Sequence, residues 1–372
     1  RLYRAIPPGA GGNLFLSPYS VSQAIAPLAL GARGETAAQI LAFLGAGGSD
    51  ASPIDDPGGF HSANHELAAR AMAIPDGDPT TFRIANRMWH EQTLPWEASF
   101  RDAVKQSYGA GAEPADFRGS ADAERMKINA WIADNTEQKI PDLLPAGSLT
   151  ANTRLVLANA IYFLGEWKDA FDPDKTKPLP FHFSAADSVE TPFLVRTGSY
   201  RAADVKKTWI LELPYEGDKF SMVVLLPAER DGLPALEEKL TLDTLQSWMA
   251  KLEKRKIDVF LPKFEMRTKA SLEGPLAAMG LALPFDPARA DFTGITTAEP
   301  LWVDRVFHEA YVRVDEKGTE AAAATATTMR TLSMPPPNPV FRADHPFLFV
   351  IRENETGLIL FVGRVGNPAA GS

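Results

Sequence analysis

The sequence contains no cysteine among its 372 residues, so disulfides, thiolate metal sites and a cysteine nucleophile are excluded. It also has no apolar run that approaches the roughly 20 residues a helix needs to span a bilayer. Positive charge is in deficit, and the net charge is −9 at pH 7. This balance argues against nucleic acid and against an anionic membrane surface as partners.

Motifs for catalysis are absent as well. There is no Gly-x-x-x-x-Gly-Lys-Ser/Thr phosphate loop, no His-Glu-x-x-His zinc motif and no Gly-x-Ser-x-Gly nucleophile elbow. The six histidines show no metal-ligand spacing: His61, His65, His90, His182, His308 and His345. We therefore expect a protein that is not an enzyme and that has no metal or cofactor.

What the sequence does contain is the composition of a globular protein, 45% apolar and 23% charged. Length alone suggests about two domains. Helical patterns dominate the first part of the chain and strand patterns the rest, which predicts an α+β fold. Residues 1–6 resemble the last turns of a helix. We therefore expect a processed or trimmed chain. These residues leave the compartment unknown; a secreted, periplasmic or cell-surface protein is favoured, and its signal segment would lie upstream.

The helical patterns have clear boundaries. Ser17 and Pro18 predict a helix start, with serine as the N-cap and proline in the first turn. Pro27 falls inside that helix and predicts a kink. Residues 45–59 are rich in Gly, Ser, Asp and Pro and predict a surface loop. Further helices are predicted at residues 35–44, 63–72, 95–108 and 121–139.

Strand patterns include one segment, Leu155–Phe163, that is apolar apart from Asn159. We interpret it as a strand buried on both faces, in which the Asn159 amide needs a hydrogen-bond partner. In a later strand, alternation places His308 on an apolar face and Glu309 on a polar one. His308 is more typical of a core histidine than of a catalytic one, and it could bond Asn159 across strands. The strand that contains His308 and Glu309 is predicted at residues 302–315. Other strands are predicted at residues 81–89, 211–215, 219–226, 256–261, 347–351 and 358–362.

Two segments of unusual composition remain. Lys251–Lys256 is the strongest basic cluster, and we interpret it as a solvated helix end rather than a polyanion site. The stretch from Glu316 to Ser333 is almost all small residues without proline. It suits an alanine-rich helix or a loop, which composition favours, and it also suits a strand. As a strand, one face would carry Thr319, Ala321, Ala323, Thr325, Thr327 and Met329, and the other Glu320, Ala322, Ala324, Ala326, Thr328 and Arg330.

Six motifs, in their order along the chain, resemble those of the serpin family of serine protease inhibitors. They are Asn13–Ser20, Asn129-x-Trp131 with Thr136 and Lys139-Ile140, Asn159–Trp167, Leu261–Phe264, Glu316–Ala324 and Phe341–Ile351. The resemblance covers essentially the whole chain. It implies one domain over residues 1–372, with three β-sheets, a large central sheet A among them, and eight or nine helices. It also implies a reactive-centre loop at about residues 316–339.

In this family the loop is bait, and the resemblance implies the same mechanism here. A protease forms an acyl-enzyme with the loop, which then inserts as a new strand in sheet A and traps the protease. The implied hinge is Glu316, Lys317, Gly318, Thr319, Glu320, Ala321, Ala322, Ala323 and Ala324. Small residues in the hinge favour an active inhibitor over a non-inhibitory chaperone or carrier. We expect a monomer, with loop–sheet polymers as an alternative assembly, whose partner is a target serine protease bound covalently.

The family's spacing also implies where the loop is cut. Counting sixteen residues from Glu316 reaches Leu332, so the reactive bond would be Leu332–Ser333. Leucine there suits the hydrophobic pocket of a chymotrypsin-like or subtilisin-like protease. Arg330, which would suit a trypsin-like protease, and Met329 are the alternatives.

Two control regions carry over by position. Ser17, Ser20, Asn159 and His308 resemble the shutter, the polar network beneath the point where sheet A opens. Trp167, Lys263 and Glu316 resemble the breach, where the loop enters, and we expect an ion pair between Lys263 and Glu316. Composition rich in Ala, Gly, Pro and Arg, without cysteine, favours a bacterial over an animal source.

Overall fold

The fold is described from a computed structural model. It describes residues 1–46, 57–75, 78, 80–108, 112–184, 186–318 and 337–370. Within those ranges no helix combines the length and the apolarity that crossing a bilayer requires.

Helices fill most of the first third of the chain, as predicted. The described residues form ten α-helices, of which α1 and α3 are single turns. They are α1 (Leu2–Ala5), α2 (Pro18–Ile25), α3 (Leu28–Gly31), α4 (Gly34–Phe43), α5 (Pro57–Met72), α6 (Ala98–Tyr108), α7 (Phe117–Asn135), α8 (Leu233–Lys239), α9 (Leu242–Met249) and α10 (Glu273–Ala278).

The strands follow mostly in the second half, which confirms the α+β class. Those described are β1 (Leu14–Leu16), β2 (Thr81–Glu91), β3 (Ala112–Ala115), β4 (Leu155–Leu164), β5 (Lys177–Phe181), β6 (Val189–Val205), β7 (Thr208–Pro214), β8 (Phe220–Pro227), β9 (Glu253–Pro262), β10 (Phe264–Ser271), β11 (Arg305–Val314), β12 (Val340–Arg342), β13 (Phe347–Glu353) and β14 (Ile359–Val365).

The helix that begins after Ser17 is built as its sequence predicts. The Ser17 side chain accepts a hydrogen bond from the Ser20 backbone N–H at 3.0 Å, and Pro18 occupies the first turn. The predicted kink is confirmed, because the helix divides at Pro27 into α2 and α3. Ser17 and Ser20, at the N-terminal end of α2, are fully buried.

Hydrogen bonding joins the strands into a five-stranded and a nine-stranded sheet. The five-stranded sheet has the order β10-β11-β4-β2-β3, and its β4–β11 pair is parallel. The nine-stranded sheet follows the path β1-β14-β13-β8-β7-β6-β9-β12, with β5 on β6. Because β6 runs for 17 residues through two parts of that path, the three expected sheets form two connected networks.

β4 is buried on both faces, which confirms the interpretation of its apolar run. On one face Val156 and Ala158 pack against Ile128 and Ile132 of α7. On the other face Phe163 lies in the aromatic core shared with the nine-stranded sheet. The fully buried strand that contains Asn159 thus lies between a helix and the main core.

Two sequence-based expectations are wrong. Glu309 does not face water; it is 1% exposed, because the chain after α7 covers that face of β11. Arg267 forms an ion pair with it at 2.6 Å and also donates to the carbonyl of Lys139 at 2.7 Å. The basic cluster Lys251–Lys256 is not a helix end, since α9 stops before it and β9 begins within it.

Candidate functional site

The middle of the five-stranded sheet holds a buried polar network on β4 and β11. Asn159 and His308 are register partners, and His308 Nδ1 hydrogen-bonds the Asn159 amide oxygen. Asn159 Nδ2 donates to the Ser20 carbonyl at 2.9 Å and to the Asn86 amide oxygen. The Ser17 backbone N–H lies 3.4 Å from His308 Nε2. The four residues expected in the shutter are therefore in one cluster, and Asn159 has the partners it needs.

Asn86 was missed by reasoning from the sequence. It lies in β2, where its register partner on β4 is Asn159. A signal was present, because Asn86 shares one face of a predicted strand with the apolar residues Ile84 and Met88. A polar residue on such a face needs a partner, as Asn159 did.

Burial sets the charge state of this network. His308 is fully buried, and desolvation lowers its pKa to about 3. The imidazole is therefore neutral at pH 7. With Ser17 N–H donating to Nε2, the ring proton belongs on Nδ1, where it is donated to Asn159. Ser17 Oγ in turn donates to the Leu360 carbonyl at 2.6 Å, so the network joins α2 to both sheets.

At the end of the same sheet, Glu316 is held by two side chains. Lys263 Nζ lies 2.8 and 3.0 Å from its carboxylate oxygens, which confirms the expected ion pair. Thr176 donates to the same carboxylate at 2.8 Å. Burial alone would raise the pKa of Glu316, but the hydrogen bonds from Lys263 and Thr176 outweigh it and the pKa is lowered. Thr176 was not predicted, and no sequence pattern distinguishes it.

Trp167 connects this cluster to the chain that leaves β11. Its indole N–H donates to the Asp315 carbonyl at 3.0 Å, and its backbone N–H donates to the Lys317 carbonyl at 2.9 Å. The ring is buried and stacks on Tyr215 with centroids 4.6 Å apart. The residues expected in the breach thus lie together: Trp167 contacts Asp315 and Lys317, and Lys263 contacts Glu316.

Gly318 reverses the chain between the ends of β4 and β11. It forms antiparallel bridges with Glu166 on one side and with Asp315 on the other. Its φ is +135°, and an added Cβ would lie 2.6 Å from Glu166 Cα and from Trp167 N. Only glycine fits there, because a side chain would meet both strain and backbone. One residue of an antiparallel strand therefore already occupies the gap between the two strand ends.

The rest of the predicted loop lies outside the described residues. That applies to the hinge from Thr319 to Ala324, to Arg330 and to the predicted bond Leu332–Ser333. The chain is described again from Pro337. Asn338 donates to Asp258 Oδ1 at 3.0 Å, and the Pro339 carbonyl accepts from the Asp258 N–H at 3.0 Å. The segment thus starts at the five-stranded sheet and returns to β9 of the other sheet.

The geometry suits strand addition. In the parallel β4–β11 pair, slanted hydrogen bonds hold two strands that run the same way. A chain that leaves β11, turns at Gly318 and runs back between them would be antiparallel to both. Among the described residues, no group of three or more His, Cys, Asp or Glu side chains could hold a metal ion.

The whole chain is similar to known proteins. A model of the serpin family, described as serine protease inhibitors, matches residues 1–368. Leukocyte elastase inhibitor of Sus scrofa is 38% identical over 376 residues, covering 99% of this chain and 96% of the relative. The Homo sapiens protein of that name is 37% identical over 366 residues, covering 96% and 93%.

Solved structures give the same result. Uncleaved ovalbumin has a TM-score of 0.84 at 31% identity, covering 96% of this chain and 94% of that chain. Human thyroxine-binding globulin in complex with thyroxine has a TM-score of 0.85 at 28% identity, covering 96% and 92%. The two leukocyte elastase inhibitors come from mammals, and nothing in these comparisons supports the bacterial source that composition favours.

Proposed function

The chain belongs to the serpin family, and we propose that it is an irreversible suicide-substrate inhibitor of serine proteases with hydrophobic primary specificity. The observation that supports this most is the position of Gly318, which bridges the ends of β4 and β11. The segment that follows it in the chain starts at the gap into which a strand would be inserted. The relatives named leukocyte elastase inhibitors support a protease as the partner.

The reaction begins as ordinary proteolysis. The protease serine Oγ attacks the carbonyl carbon of Leu332, the bond to the Ser333 nitrogen breaks, and that nitrogen leaves as an amine after taking a proton from the protease's general acid. Leu332 then remains attached to the protease as an ester. Water completes hydrolysis in a substrate, whereas in this inhibitor the freed loop inserts first and carries the protease away.

Insertion is favoured by the pairing it creates. It replaces one parallel pairing, β4 with β11, by two antiparallel pairings, which are somewhat more stable per residue. Residues 316–332 span about 55 Å when extended, enough to cross the sheet. The face formed by Thr319, Ala321 and Ala323 is small and uncharged, so it can be buried between the neighbouring strands.

Inserting a strand between β4 and β11 has a free-energy cost, because existing contacts must break. The Asn159–His308 hydrogen bond would have to break. In addition, α7 and the chain after it would have to move, because they cover β4 and β11. Cutting the loop frees it to insert and so releases the energy stored in the state before cleavage.

The test is incubation with chymotrypsin followed by a denaturing gel and N-terminal sequencing of the released fragment. We expect an SDS-stable complex and a new N-terminus at Ser333. The paired variants Ala323→Arg and Ala324→Arg separate insertion from recognition. Arginine at 323 would be buried and should convert the inhibitor into a substrate, whereas at 324 it lies on the face that already carries Glu320 and should be tolerated. Loss of the complex in neither variant, or in both equally, contradicts insertion in this register.

Two other functions are distinguished by the same gel. A trypsin complex with a new N-terminus at Thr331 would mean that Arg330 directs the inhibitor to a trypsin-like protease. Cleavage without a complex by any of these proteases would favour a carrier, a function suggested by the similarity to thyroxine-binding globulin.

A further inference from the structure

A polar cleft of about 420 Å³ lies beside the breach, where β6, β7, β9 and β13 come together. Its wall includes Lys168, Arg201, Lys254 and Arg352, four cations in a protein whose net charge is −9. We propose that this cleft binds a small polyvalent oxyanion, such as a phosphate or sulfate group.

The carboxylates in the cleft are already engaged. Asp169 is bound by Arg196 at 2.7 Å, and Asp218 is bound by Lys168. Glu212 alone is shared by two guanidiniums, those of Arg201 at 2.8 Å and Arg352 at 3.3 Å. With four cations and three carboxylates in its lining, the cleft carries one net positive charge.

Lys254 has no ion-pair partner among the described residues. It is exposed on β9, and its register partner across the antiparallel β6–β9 pair is Arg201. Like charges directly opposite each other destabilise strand pairing. An anion between Lys254 and Arg201 would convert this repulsion into two charge-assisted contacts.

An unsatisfied polar atom in the wall of the cleft supports this assignment. Arg352 lines the cleft, and its Nε is buried without a hydrogen-bond partner. Buried polar groups are usually hydrogen-bonded, and an oxyanion accepts from guanidinium donors. The cleft thus supplies an unused donor as well as unused charge.

A small ion fits these observations better than a long polyanion. The unsatisfied groups lie within the cleft, whereas a chain of sulfates would also engage Lys251 and Arg255, which are exposed and do not line it. Lys251 therefore provides a matched control. It is a lysine three residues from Lys254, also exposed, but outside the cleft.

The experiment is isothermal titration calorimetry of the intact protein with inorganic pyrophosphate and, separately, with sulfate, at an ionic strength held constant with sodium chloride. We expect saturable binding at one site. Lys254→Gln should weaken it about tenfold, the loss of one charge-assisted bond. Lys251→Gln should leave it unchanged. The melting temperature without ligand shows that each variant is folded, and for Lys254→Gln it should not fall, because a repulsion is removed.

Three outcomes would overturn the proposal. They are no saturable binding by the wild type, equal weakening by Lys251→Gln and Lys254→Gln, and binding that Lys254→Gln leaves intact. Equal weakening would mean a diffuse basic surface that attracts polyanions. No protease is present in the titration, so its result is independent of the inhibitory function proposed above.

Discussion

Asn159 and His308 face each other on two parallel strands, and the imidazole of one bonds the amide oxygen of the other. Both side chains are fully buried. A strand inserted between β4 and β11 would have to separate them, so their hydrogen bond belongs to the state in which the loop is outside the sheet. Under the proposed function, the same contact therefore stabilises the native structure and opposes insertion of the loop.

We expect a double-mutant cycle to measure this contact. His308→Ala and Asn159→Ala should each lower the free energy of unfolding by about 3 kcal/mol, because each leaves a buried polar group without its partner. In the double variant the losses should fall short of their sum by at least about 1 kcal/mol. Urea denaturation of the wild type, the two single variants and the double variant gives the four free energies of unfolding. Strictly additive losses would contradict coupling between Asn159 and His308.

The neutral, buried His308 also predicts acid sensitivity. Its pKa is lowered to about 3, whereas an unfolded histidine titrates near 6.5. The stability that the neutral His308 contributes to the folded protein is therefore fully present above about pH 6.5 and is lost as pH falls towards 3. The loss should reach about 2 kcal/mol at pH 5. Stability measured from pH 8 to 4 should fall less steeply in His308→Gln than in the wild type; parallel curves would contradict the assignment.

Removing the Glu316 carboxylate, which anchors the hinge, should speed the spontaneous change of the uncleaved protein into inactive and polymeric forms. Glu316→Gln leaves Lys263 without its ion pair, so residues 315–318 should detach more readily from β4. We expect faster loss of inhibitory activity at 37 °C and more polymer on native gels. Lys317→Gln is the control, because Lys317 is exposed. If Glu316→Gln behaves like that control, the ion pair has no role in holding the hinge.

Gly318 offers a test by steric exclusion. In Gly318→Ala the Cβ would meet the backbone of Glu166 and Trp167, so the bridge should open. Hydrogen exchange at the Trp167 N–H, which donates to the Lys317 carbonyl, should accelerate by about tenfold or more. Gly147→Ala controls for backbone strain, since Gly147 has φ +76° with nothing near its Cβ. Equal exchange at Trp167 in both variants would contradict the contact.

The ion pair between Arg267 and Glu309, which the chain after α7 covers, predicts a pH dependence opposite to that of His308. Burial raises the pKa of Glu309 even though Arg267 opposes the shift. Arg267→Met should cost about 3 kcal/mol at pH 8, where the carboxylate is charged and unpaired. Because a raised carboxyl pKa favours the folded state when protonated, stability should recover between pH 8 and 5. Arg255→Met, which breaks an exposed pair with Glu253, should cost about 0.5 kcal/mol or less at either pH.

The sequence predicts this fold best where one element determines its own structure. The Ser17 cap, the break at Pro27 and the buried strand around Asn159 all depend on local sequence and burial, and all were confirmed. β6 was not predicted, because its alternation changes face at Phe193–Leu194 and again at Ala202–Ala203, and because Pro192 and Gly198 are atypical of strands. Glu309 was placed wrongly because the segment that covers it comes from elsewhere in the chain.

The site shows the same division. The family's motifs predicted that Ser17, Ser20, Asn159 and His308 lie together and that Lys263 pairs with Glu316, and the structure has both sets of contacts. Thr176 contributes to the second cluster only because its distant segment reaches Glu316, and a threonine alone carries no such information. Partners of this kind are set by tertiary contacts that no local pattern encodes.

The side chain of Asn13 joins the two ends of the chain. It bonds the backbone of Gly366, Asn367 and Ala370, and the adjacent β1 pairs with β14. Until residues 359–370 have been synthesised, the nine-stranded sheet therefore lacks β14 and its pairing with β1. The strands of the five-stranded sheet, by contrast, all precede residue 315 in the chain. At about 5–20 residues per second, β1 leaves the ribosome well before β14, its partner in the sheet. The five-stranded sheet can thus form first, whereas β1 must wait for the C-terminal strands.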